Sequence, residues 1–436
     1  MFGEPVDLFI DLSRWTLPRI EGVLGLSLGL FGVWLLASLV VAGVHHALPS
    51  RWRQPWLIGA SLAFLAAAMK PEVAVFAIGF AVLFHQLVFT PLLPKRARTV
   101  VGGLLLVGVF LPASFSGLLL DFEGGSLVRS DKVAVFFLVI FFKKACYALY
   151  ESRHGLQLSG SQAAIYFLSL PFLLGKAIVV SPTNLFASQD GRPPLDALRS
   201  GARTLALATL HLAGFLALVL APVHLIATGR LVQDLSTLSW LGVYVALAMN
   251  YVAIYLFRYG WEQMAVGSAR MLGYAVADNY QNPLAARDYA DFWRRWNVHF
   301  REMIVRIFYY PTVLALSRRW PGHKKLAVVL ACGVTFAGHG AFMLLNRGLL
   351  LPLDAVEGWW ELTIALGIYE VFQAVLTASA LLLMNKKRRA AWGVPWLVAG
   401  VFLTFHLRAA MVLLILRGGL DLAGVAALLG RLAGAG

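Results

Sequence analysis

Charged residues are scarce in this chain of 436 residues. They make up 14% of it, against about 25% in a typical soluble domain, whereas 59% of its residues are hydrophobic. Acidic residues are fewer than basic ones: the chain has 22 Asp and Glu and 37 Lys and Arg, which gives a net charge of +15. This composition excludes an ordinary soluble domain and predicts a membrane protein.

Cysteine is nearly absent, and so are several familiar catalytic motifs. The two cysteines, Cys146 and Cys332, match no metal-ligand spacing and supply no disulfide framework, so we interpret both as packing residues. There is no GxSxG, no HExxH and no Walker A loop, which leaves hydrolase, zinc protease and ATPase functions without support. We therefore predict no metal site and no permanently bound cofactor.

Long apolar runs recur along the whole chain, and most are near the roughly 20 residues that cross a hydrocarbon core. Together with shorter runs they predict an all-α polytopic fold with about 11–12 transmembrane or partly inserted helices. Residues 1–130 are predicted to form apolar helical hairpins and residues 131–436 a catalytic core, within one integral membrane domain. The long runs are 22–44, 73–93, 100–120, 205–228, 240–257, 326–345, 362–383 and 394–416, and the shorter ones are 56–69, 133–150, 163–180 and 303–316.

The basic residues are clustered at 51–53, 95–98, 318–325 and 386–389. The positive-inside rule explains such clusters as cytoplasmic ends of membrane helices, and twelve crossings with an external N-terminus satisfy it. Nucleic-acid binding would need a soluble basic face, so we predict no nucleic-acid partner. Because residues 1–18 mix acidic and basic side chains, we expect no cleavable signal peptide there. In 141–151, Lys143 and Lys144 are expected to snorkel to a membrane surface.

A helix is predicted from Asp291, preceded by turn residues and by acceptor side chains suited to a helix N-terminus. Spacings of three and seven residues place Arg294, Asn297 and Arg301 on one face, while His299 points away from Asn297. An adjacent face carries three aromatic residues, Trp293, Trp296 and Phe300. Asn297 then either orients a substrate or makes a helix–helix hydrogen bond, with the arginines as interfacial anchors.

His339 lies in a long apolar run between Gly338 and Gly340. A polar group at membrane depth is costly and is a functional candidate, although a packed core histidine is the alternative. We expect the two glycines to leave open space for a substrate beside an imidazole that can act as a general base. The small-residue stripe, formed by Gly333, Ala337 and Ala341, is expected to let another helix approach closely.

Three other polar residues lie within apolar segments. Glu370 needs a partner or a proton, and we interpret it as a pocket residue. His406 near the last predicted helix can line the same cavity. Lys176 is interpreted as an interfacial side chain.

Five short motifs occur through the last two-thirds of the chain. They are Asp278-Asn-Tyr-Gln-Asn-Pro283, Asp291-Phe-Trp-Arg-Arg-Trp-Asn297, Tyr309-Tyr-Pro311, Gly338-His339-Gly340 and Phe405-His-Leu-Arg-Ala409. In these motifs the chain resembles the membrane-bound O-acyltransferase (MBOAT) family, and in particular its bacterial branch, which includes alginate O-acetylation and the D-alanyl transfer of teichoic acid synthesis. The resemblance is weaker over 141–181.

The resemblance implies helices around a central tunnel and acyl transfer from a thioester, commonly acyl-CoA as co-substrate, to a hydroxyl. His339 would be the general base and Asn297 would orient the acceptor or the thioester carbonyl. Arg294 or Arg301 would contact the phosphates of the donor. The remaining residues of the predicted substrate- and donor-binding set are Trp293, Trp296, Glu370 and His406.

The resemblance also implies the setting: the bilayer of a bacterial inner membrane, and an extracytoplasmic partner acyltransferase or carrier protein. The bacterial branch favours a cell-surface polysaccharide as acceptor. Asn297, where that branch usually has histidine, instead resembles members that acylate lipid or sterol hydroxyls; Gly338 replaces a usual tryptophan. Two other classes stay open, a transporter or flippase of an acidic or lipid-linked solute and a non-catalytic scaffold.

Overall fold

The computed structural model describes residues 35–68, 71–115, 131–169, 179–189, 193–227, 240–350, 359–383, 395 and 398–405. Within these ranges the secondary structure is helical, apart from one isolated β-bridge between Gln189 and Tyr274. The predicted all-α fold is therefore confirmed for the described part of the chain. Lys176, His406, residues 1–18 and the basic cluster at 386–389 lie outside it.

Fourteen helices are described, and a final helical segment occupies 398–405. A π turn, Val305–Tyr309, leads directly into the helix that begins at Tyr310. In chain order the helices are α1 Leu35–Ala47, α2 Ser50–Ala68, α3 Pro71–Phe89, α4 Lys95–Phe115, α5 Asp131–Arg153, α6 Gly160–Leu168, α7 Pro182–Ala187, α8 Pro194–Ala227, α9 Trp240–Met271, α10 Tyr289–Arg295, α11 Val298–Ile304, α12 Tyr310–Arg319, α13 Lys324–Leu350 and α14 Trp359–Leu383.

Two stretches of the described helices are long and apolar enough to cross a membrane, Lys324–Leu345 in α13 and Leu366–Leu383 in α14. Shorter apolar stretches are α1 itself and Ala74–Phe89 in α3. These findings match the predicted spans at 326–345 and 362–383. The larger number of crossings stays a prediction.

Apolar side chains face outward on several helices. Val75, Leu104 and Val371 are 69%, 66% and 63% exposed, whereas Glu262 and Gln373 are buried. A soluble protein favours the opposite arrangement, because water solvates charge and hydrocarbon does not. Extended apolar outer faces are expected of helices that contact lipid or another protein.

Helices α8 and α9 approach each other through their glycines. A Cβ atom at Gly201 would lie 2.5 Å from the carbonyl oxygen of Gly267, and one at Gly260 would lie 2.8 Å from that of Ala208. Small residues allow such backbone contact between helices. This packing fixes α9, whose C-terminal half supplies polar side chains to the candidate site described below.

The two lysines of α5 are not at a surface. Lys143 and Lys144 are 3% and 2% exposed. Lys144 Nζ donates a hydrogen bond to the Tyr166 carbonyl at 2.8 Å, and Lys143 Nζ lies 4.6 Å from the centre of the Phe300 ring. The prediction that they snorkel is wrong, because a carbonyl and an aromatic face receive the two ammonium groups inside the protein.

Candidate active site

The helix predicted from Asp291 is interrupted. Helix α10 ends at Arg295, α11 begins at Val298, and Asn297 between them has a left-handed backbone with φ 47°. Asparagine tolerates this conformation better than most residues. The prediction that Asn297 shares a continuous helical face with Arg294 and Arg301 is therefore wrong.

Helix α10 begins at Tyr289, two residues before the predicted start, and the expected acceptor side chain caps it: the Asp288 carboxylate accepts a hydrogen bond from the Asp291 amide at 2.8 Å. The Asp291 carboxylate in turn accepts from the Arg287 amide and from the guanidinium groups of Arg295 and Arg294 at 3.1–3.2 Å. Burial alone would raise the pKa of Asp291, but these hydrogen bonds and charges lower it from its ordinary value. Arg294 is thus half-exposed and paired within its own helix.

Arg301 is differently placed. Its guanidinium makes no ion pair and no hydrogen bond with any residue that the structure describes, and its Nε atom is buried. Nearby Arg306 has acidic partners in Glu302 and Glu151. The charge of the neighbouring Glu302 acts on Arg301 without forming an ion pair. A partly buried cation without an ion pair is a favourable place for an anionic ligand.

The His339 imidazole and the Glu370 carboxylate form a buried pair between α13 and α14. Nδ1 of His339 lies 2.8 Å from Oε1 of Glu370, and the two side chains are 12% and 7% exposed. An ionised carboxylate only accepts hydrogen bonds, so Nδ1–H donates and the lone pair lies on Nε2. In the described part of the chain Nε2 has no hydrogen-bond partner, and Oε2 of Glu370 is buried without one.

Aromatic rings surround the His339 imidazole. The ring centres of Trp293, Phe300 and Phe336 lie 5.7, 5.6 and 6.3 Å from it. The Trp293 indole N–H donates to Oε1 of Gln373 at 3.1 Å, which joins α10 to α14. Four helices, α10, α11, α13 and α14, therefore meet around one imidazole, and their rings restrict access of water to it.

Trp296 lies in the same hydrophobic cluster as Trp293, and both rings pack against Phe292. The ring centres of Trp296 and Tyr280 are 5.1 Å apart. The predicted continuous helix face that adds Phe300 to the two tryptophans is wrong, because the helix is interrupted at Asn297. Trp293 is the tryptophan that reaches His339.

The glycines on either side of His339 do not leave open space. A Cβ atom at Gly338 would lie 2.7 Å from the Phe308 ring, and one at Gly340 would lie 3.0 Å from Cγ of Glu370. The expectation that the two glycines leave open space is wrong: the missing side chains let Phe308 and Glu370 approach α13. The small-residue stripe is on the exposed side, where no described atom lies within 4 Å of a Cβ at Gly333.

The π turn at Val305–Tyr309 brings Phe308 to Gly338. Pro311 lacks the amide that would bond the Ile307 carbonyl in an α-helix, and the Tyr310 amide bonds the Val305 carbonyl, five residues earlier. Turns of this kind are frequent at functional sites. The sequence motif around Pro311 indicated the resemblance, but not this geometry.

Asn279 connects the second half of the site. It is fully buried, and its Nδ2 donates to Oε2 of Glu262 at 2.6 Å and to Oδ1 of Asn297 at 3.2 Å. Its Oδ1 accepts from the His299 amide at 3.2 Å, and its carbonyl accepts from the Val298 amide at 2.8 Å. Asn279 therefore caps α11 in place of Asn297, whose own side chain makes no capping bond.

His299 belongs to the same network through its backbone amide, which donates to Oδ1 of Asn279. Its side chain has a different partner, since Nε2–H donates to the Ala277 carbonyl at 2.8 Å. Burial lowers the pKa of His299 from its ordinary value of 6.5, and the hydrogen bond to Ala277 only partly opposes this. His299 is a neutral structural side chain at pH 7.

Three residues near the site were not singled out from the sequence for these roles. Lys143 lies over Phe300, which packs against His339, and Asn279 and Glu262 hold the Asn297 turn. The sequence signal that could have identified Lys143 and Glu262 is the presence of a charged residue within an apolar helix. No group of three or more His, Cys, Asp or Glu side chains in the described residues is arranged to hold a metal ion.

Comparison with known proteins gives partial similarities, and no protein-family model matches the chain. A probable alginate O-acetylase, AlgI of Azotobacter vinelandii, is 24% identical over 123 residues, which cover 26% of this chain and 24% of that protein. The AlgI proteins of Pseudomonas putida and Pseudomonas aeruginosa are each 33% identical over 61 residues, covering 14% of this chain and 12% and 11% of theirs. The chain thus covers about a quarter or less of the length of these relatives, and the similarity to alginate O-acetylases holds for that part.

Proposed function

We propose that this chain is a membrane-embedded O-acyltransferase. It moves a short acyl group from a thioester donor such as acyl-CoA to a hydroxyl of a cell-surface polysaccharide. The observation that carries the proposal is the buried His339–Glu370 pair, which joins two helices apolar enough to span a membrane and leaves Nε2 of the imidazole without a protein partner among the described residues. The partial similarity to alginate O-acetylases supports the same class of reaction.

In the proposed reaction Nε2 of His339 takes the proton of the acceptor hydroxyl as its oxygen attacks the thioester carbonyl. The C–S bond then breaks, and the imidazolium returns the proton to the leaving thiolate, which gives an ester and a free thiol. Glu370 holds the imidazole in the tautomer with a basic Nε2 and offsets the positive charge that develops on it. The surrounding rings of Trp293 and Phe300 limit competing hydrolysis by keeping water out.

Asn297 is proposed to stabilise the negative charge that develops on the thioester oxygen. Its Oδ1 is occupied by Asn279, but its Nδ2 makes no hydrogen bond to the described residues. A free amide N–H donor is the chemical group that such a role requires. Trp293 and Phe300 both contact His339. In the chain, Trp293 lies four residues before Asn297 and Phe300 lies three residues after it.

Arg301 is proposed to bind the phosphates of the donor, because its guanidinium forms no ion pair or hydrogen bond with the described residues. Arg294, half-exposed beside Asp291, is proposed as a second contact with the donor phosphates.

We further propose that the protein is a multi-pass protein of a bacterial inner membrane with a central tunnel. We also propose that an extracytoplasmic carrier protein or partner acyltransferase takes part in the acyl transfer. His406 is proposed to line the tunnel.

The experiment is turnover by purified protein in lipid nanodiscs, with labelled acetyl-CoA and a hydroxyl-bearing polysaccharide. Wild-type protein is expected to release free thiol and to label the polysaccharide. His339→Ala should lower the rate by about 100- to 10,000-fold, as loss of a general base does. His323→Ala is the matched control, since His323 is an exposed histidine directly before α13. Wild-type turnover in a folded His339→Ala protein would overturn the role of the base.

The same assay separates the alternatives. Release of thiol excludes a transporter or scaffold, because neither cleaves a thioester. Adding a sterol or a long-chain alcohol in place of the polysaccharide tests the second kind of acceptor. Transfer to the lipid alcohol alone would keep the enzyme class and replace the polysaccharide.

A further inference from the structure

The buried residue Asn279 uses all the hydrogen-bonding groups of its side chain and backbone. Besides the contacts to Glu262, Asn297, Val298 and His299, its backbone amide donates to Oε1 of Gln263 at 3.1 Å. Such complete satisfaction at a fully buried position fixes both the place and the rotation of the side chain. Asn279 lies in one of the sequence motifs that carried the resemblance, and the proposed reaction assigns it no role.

The rotation of the Asn279 amide follows from its partners. The backbone amide of His299 only donates, so the atom of Asn279 that faces it must be the oxygen. The nitrogen then faces Glu262 and Asn297, and both must present acceptors. Asn297 therefore presents its oxygen to Asn279, and its NH2 group points away from the network.

Glu262 strengthens this arrangement from α9. Its Oε2 accepts from Nδ2 of Asn279 and from the Tyr280 hydroxyl, each at 2.6 Å, and the residue is 3% exposed. A carboxylate oxygen with two short donors strongly favours the nitrogen of Asn279 at this position. Glu262 and the His299 amide thus define the two ends of the Asn279 side chain.

We infer that Asn279, held by Glu262, is a positioning residue that turns the Asn297 amide so that its NH2 group faces the thioester oxygen. The inference rests on the proposed acyl transfer. Asn279 does not touch the substrate; it acts by making the oxygen of Asn297 unavailable and leaving the nitrogen free. The same side chain caps α11, so it sets both the backbone turn at Asn297 and the direction of its amide.

The first test is Asn279→Asp, which replaces the amide nitrogen with an oxygen. One carboxylate oxygen still accepts from the His299 amide, but the other now faces Asn297, whose amide must turn to donate its NH2 group. The free donor is then lost. We expect kcat to fall between about 10- and 100-fold, with little change in KM for the thioester, because the donor acts in the transition state.

The decisive measurement is a double-mutant cycle with Asn297→Ala. Asn297→Ala removes the donor and should lower kcat by about 100-fold. Because Asn279 acts only through Asn297, adding Asn279→Asp to Asn297→Ala should lower kcat no further. Independent, multiplying effects of the two substitutions would overturn the inference.

A swapped pair separates positioning from damage to the fold. Asn279→Asp alone places two carboxylates together. Combining it with Glu262→Gln restores a hydrogen bond, since the glutamine nitrogen can donate both to the introduced carboxylate and to the oxygen of the Tyr280 hydroxyl. The double variant should recover the thermal unfolding midpoint of the wild type, while kcat stays low because the Asn297 amide is still turned. Recovery of kcat together with stability would show that the loss was structural and would overturn the inference.

The outcomes distinguish this inference from the proposed function. If wild-type protein releases no thiol, the acyl transfer itself fails. If His339→Ala abolishes thiol release while Asn279→Asp has wild-type kcat, the acyl transfer stands and the positioning role of Asn279 fails.

Discussion

The two halves of the candidate site are built in different ways. His339 lies on α13, a long apolar helix, and one hydrogen bond to Glu370 with three aromatic neighbours defines its surroundings. Asn297 lies between two seven-residue helices in a left-handed turn, where a dense hydrogen-bond network surrounds it. The first half depends on packing around a single polar pair, and the second on the identity of many donors and acceptors.

The difference follows from where the backbone finds its hydrogen bonds. A continuous helix satisfies its own amides and carbonyls, so the backbone around His339 needs no hydrogen-bond partners from other segments. Glu370 bonds the side chain alone. The turn at Asn297 leaves amides of α11 without partners in their own helix, and a buried amide must be bonded by other groups. Changes of side-chain size should therefore damage the first half, and changes of polar group the second.

The largest effect is expected from Glu370→Ala. Loss of the carboxylate frees the imidazole to adopt the wrong tautomer and removes the charge that offsets the imidazolium, so kcat should fall by about 100- to 10,000-fold. Val371→Ala is the matched control, because Val371 is exposed on the same helix. The assay is thiol release in nanodiscs, and a folded Glu370→Ala protein with wild-type kcat would contradict the pairing.

An intermediate effect is expected from Gly338→Val. The new side chain meets the Phe308 ring and should lower the free energy of unfolding by about 1–3 kcal/mol, as overpacking does. Gly333→Val on the exposed side of α13 should cost less, because a Cβ there has no described neighbour within 4 Å. Thermal unfolding in detergent measures both. Equal losses in the two variants would show that helix propensity, and not the Phe308 contact, is responsible.

The smallest effect is a sensitivity to acid in the second half. Burial lowers the pKa of His299 below 6.5, so the unfolded chain binds a proton that the folded protein excludes. The free energy of unfolding should therefore fall as the pH drops below this value. His299→Gln keeps a donor for the Ala277 carbonyl but does not titrate, and it should reduce the slope of unfolding midpoint against pH. An unchanged slope would assign the acid sensitivity to another group.

The first half was largely accessible from the sequence. Uninterrupted apolar runs identified the spans at α13 and α14, and a histidine and a glutamate within such runs are conspicuous because hydrocarbon does not solvate them. Their pairing required the register between two helices, which a single sequence does not contain. The flanking glycines were visible too, but their neighbours Phe308 and Glu370 come from other helices, so the space was misjudged.

The second half was not accessible in the same way. The residues from Asp291 to Arg301 have a consistent helical spacing, and local pattern alone favours one helix. The break depends on Asn279, 18 residues before Asn297, which caps α11 from outside. Lys143 shows the same limitation, since its aromatic partner Phe300 is distant in sequence and replaces the membrane surface that the sequence had indicated.

Capping of α11 by a residue from another segment also bears on how the protein folds. A seven-residue helix is too short to persist alone, and its first amides gain their acceptors only when the segment around Asn279 has docked on α9. We therefore expect the turn that carries Asn297 to form together with that docking. A partly folded chain is then expected to lack the whole Asn297 site.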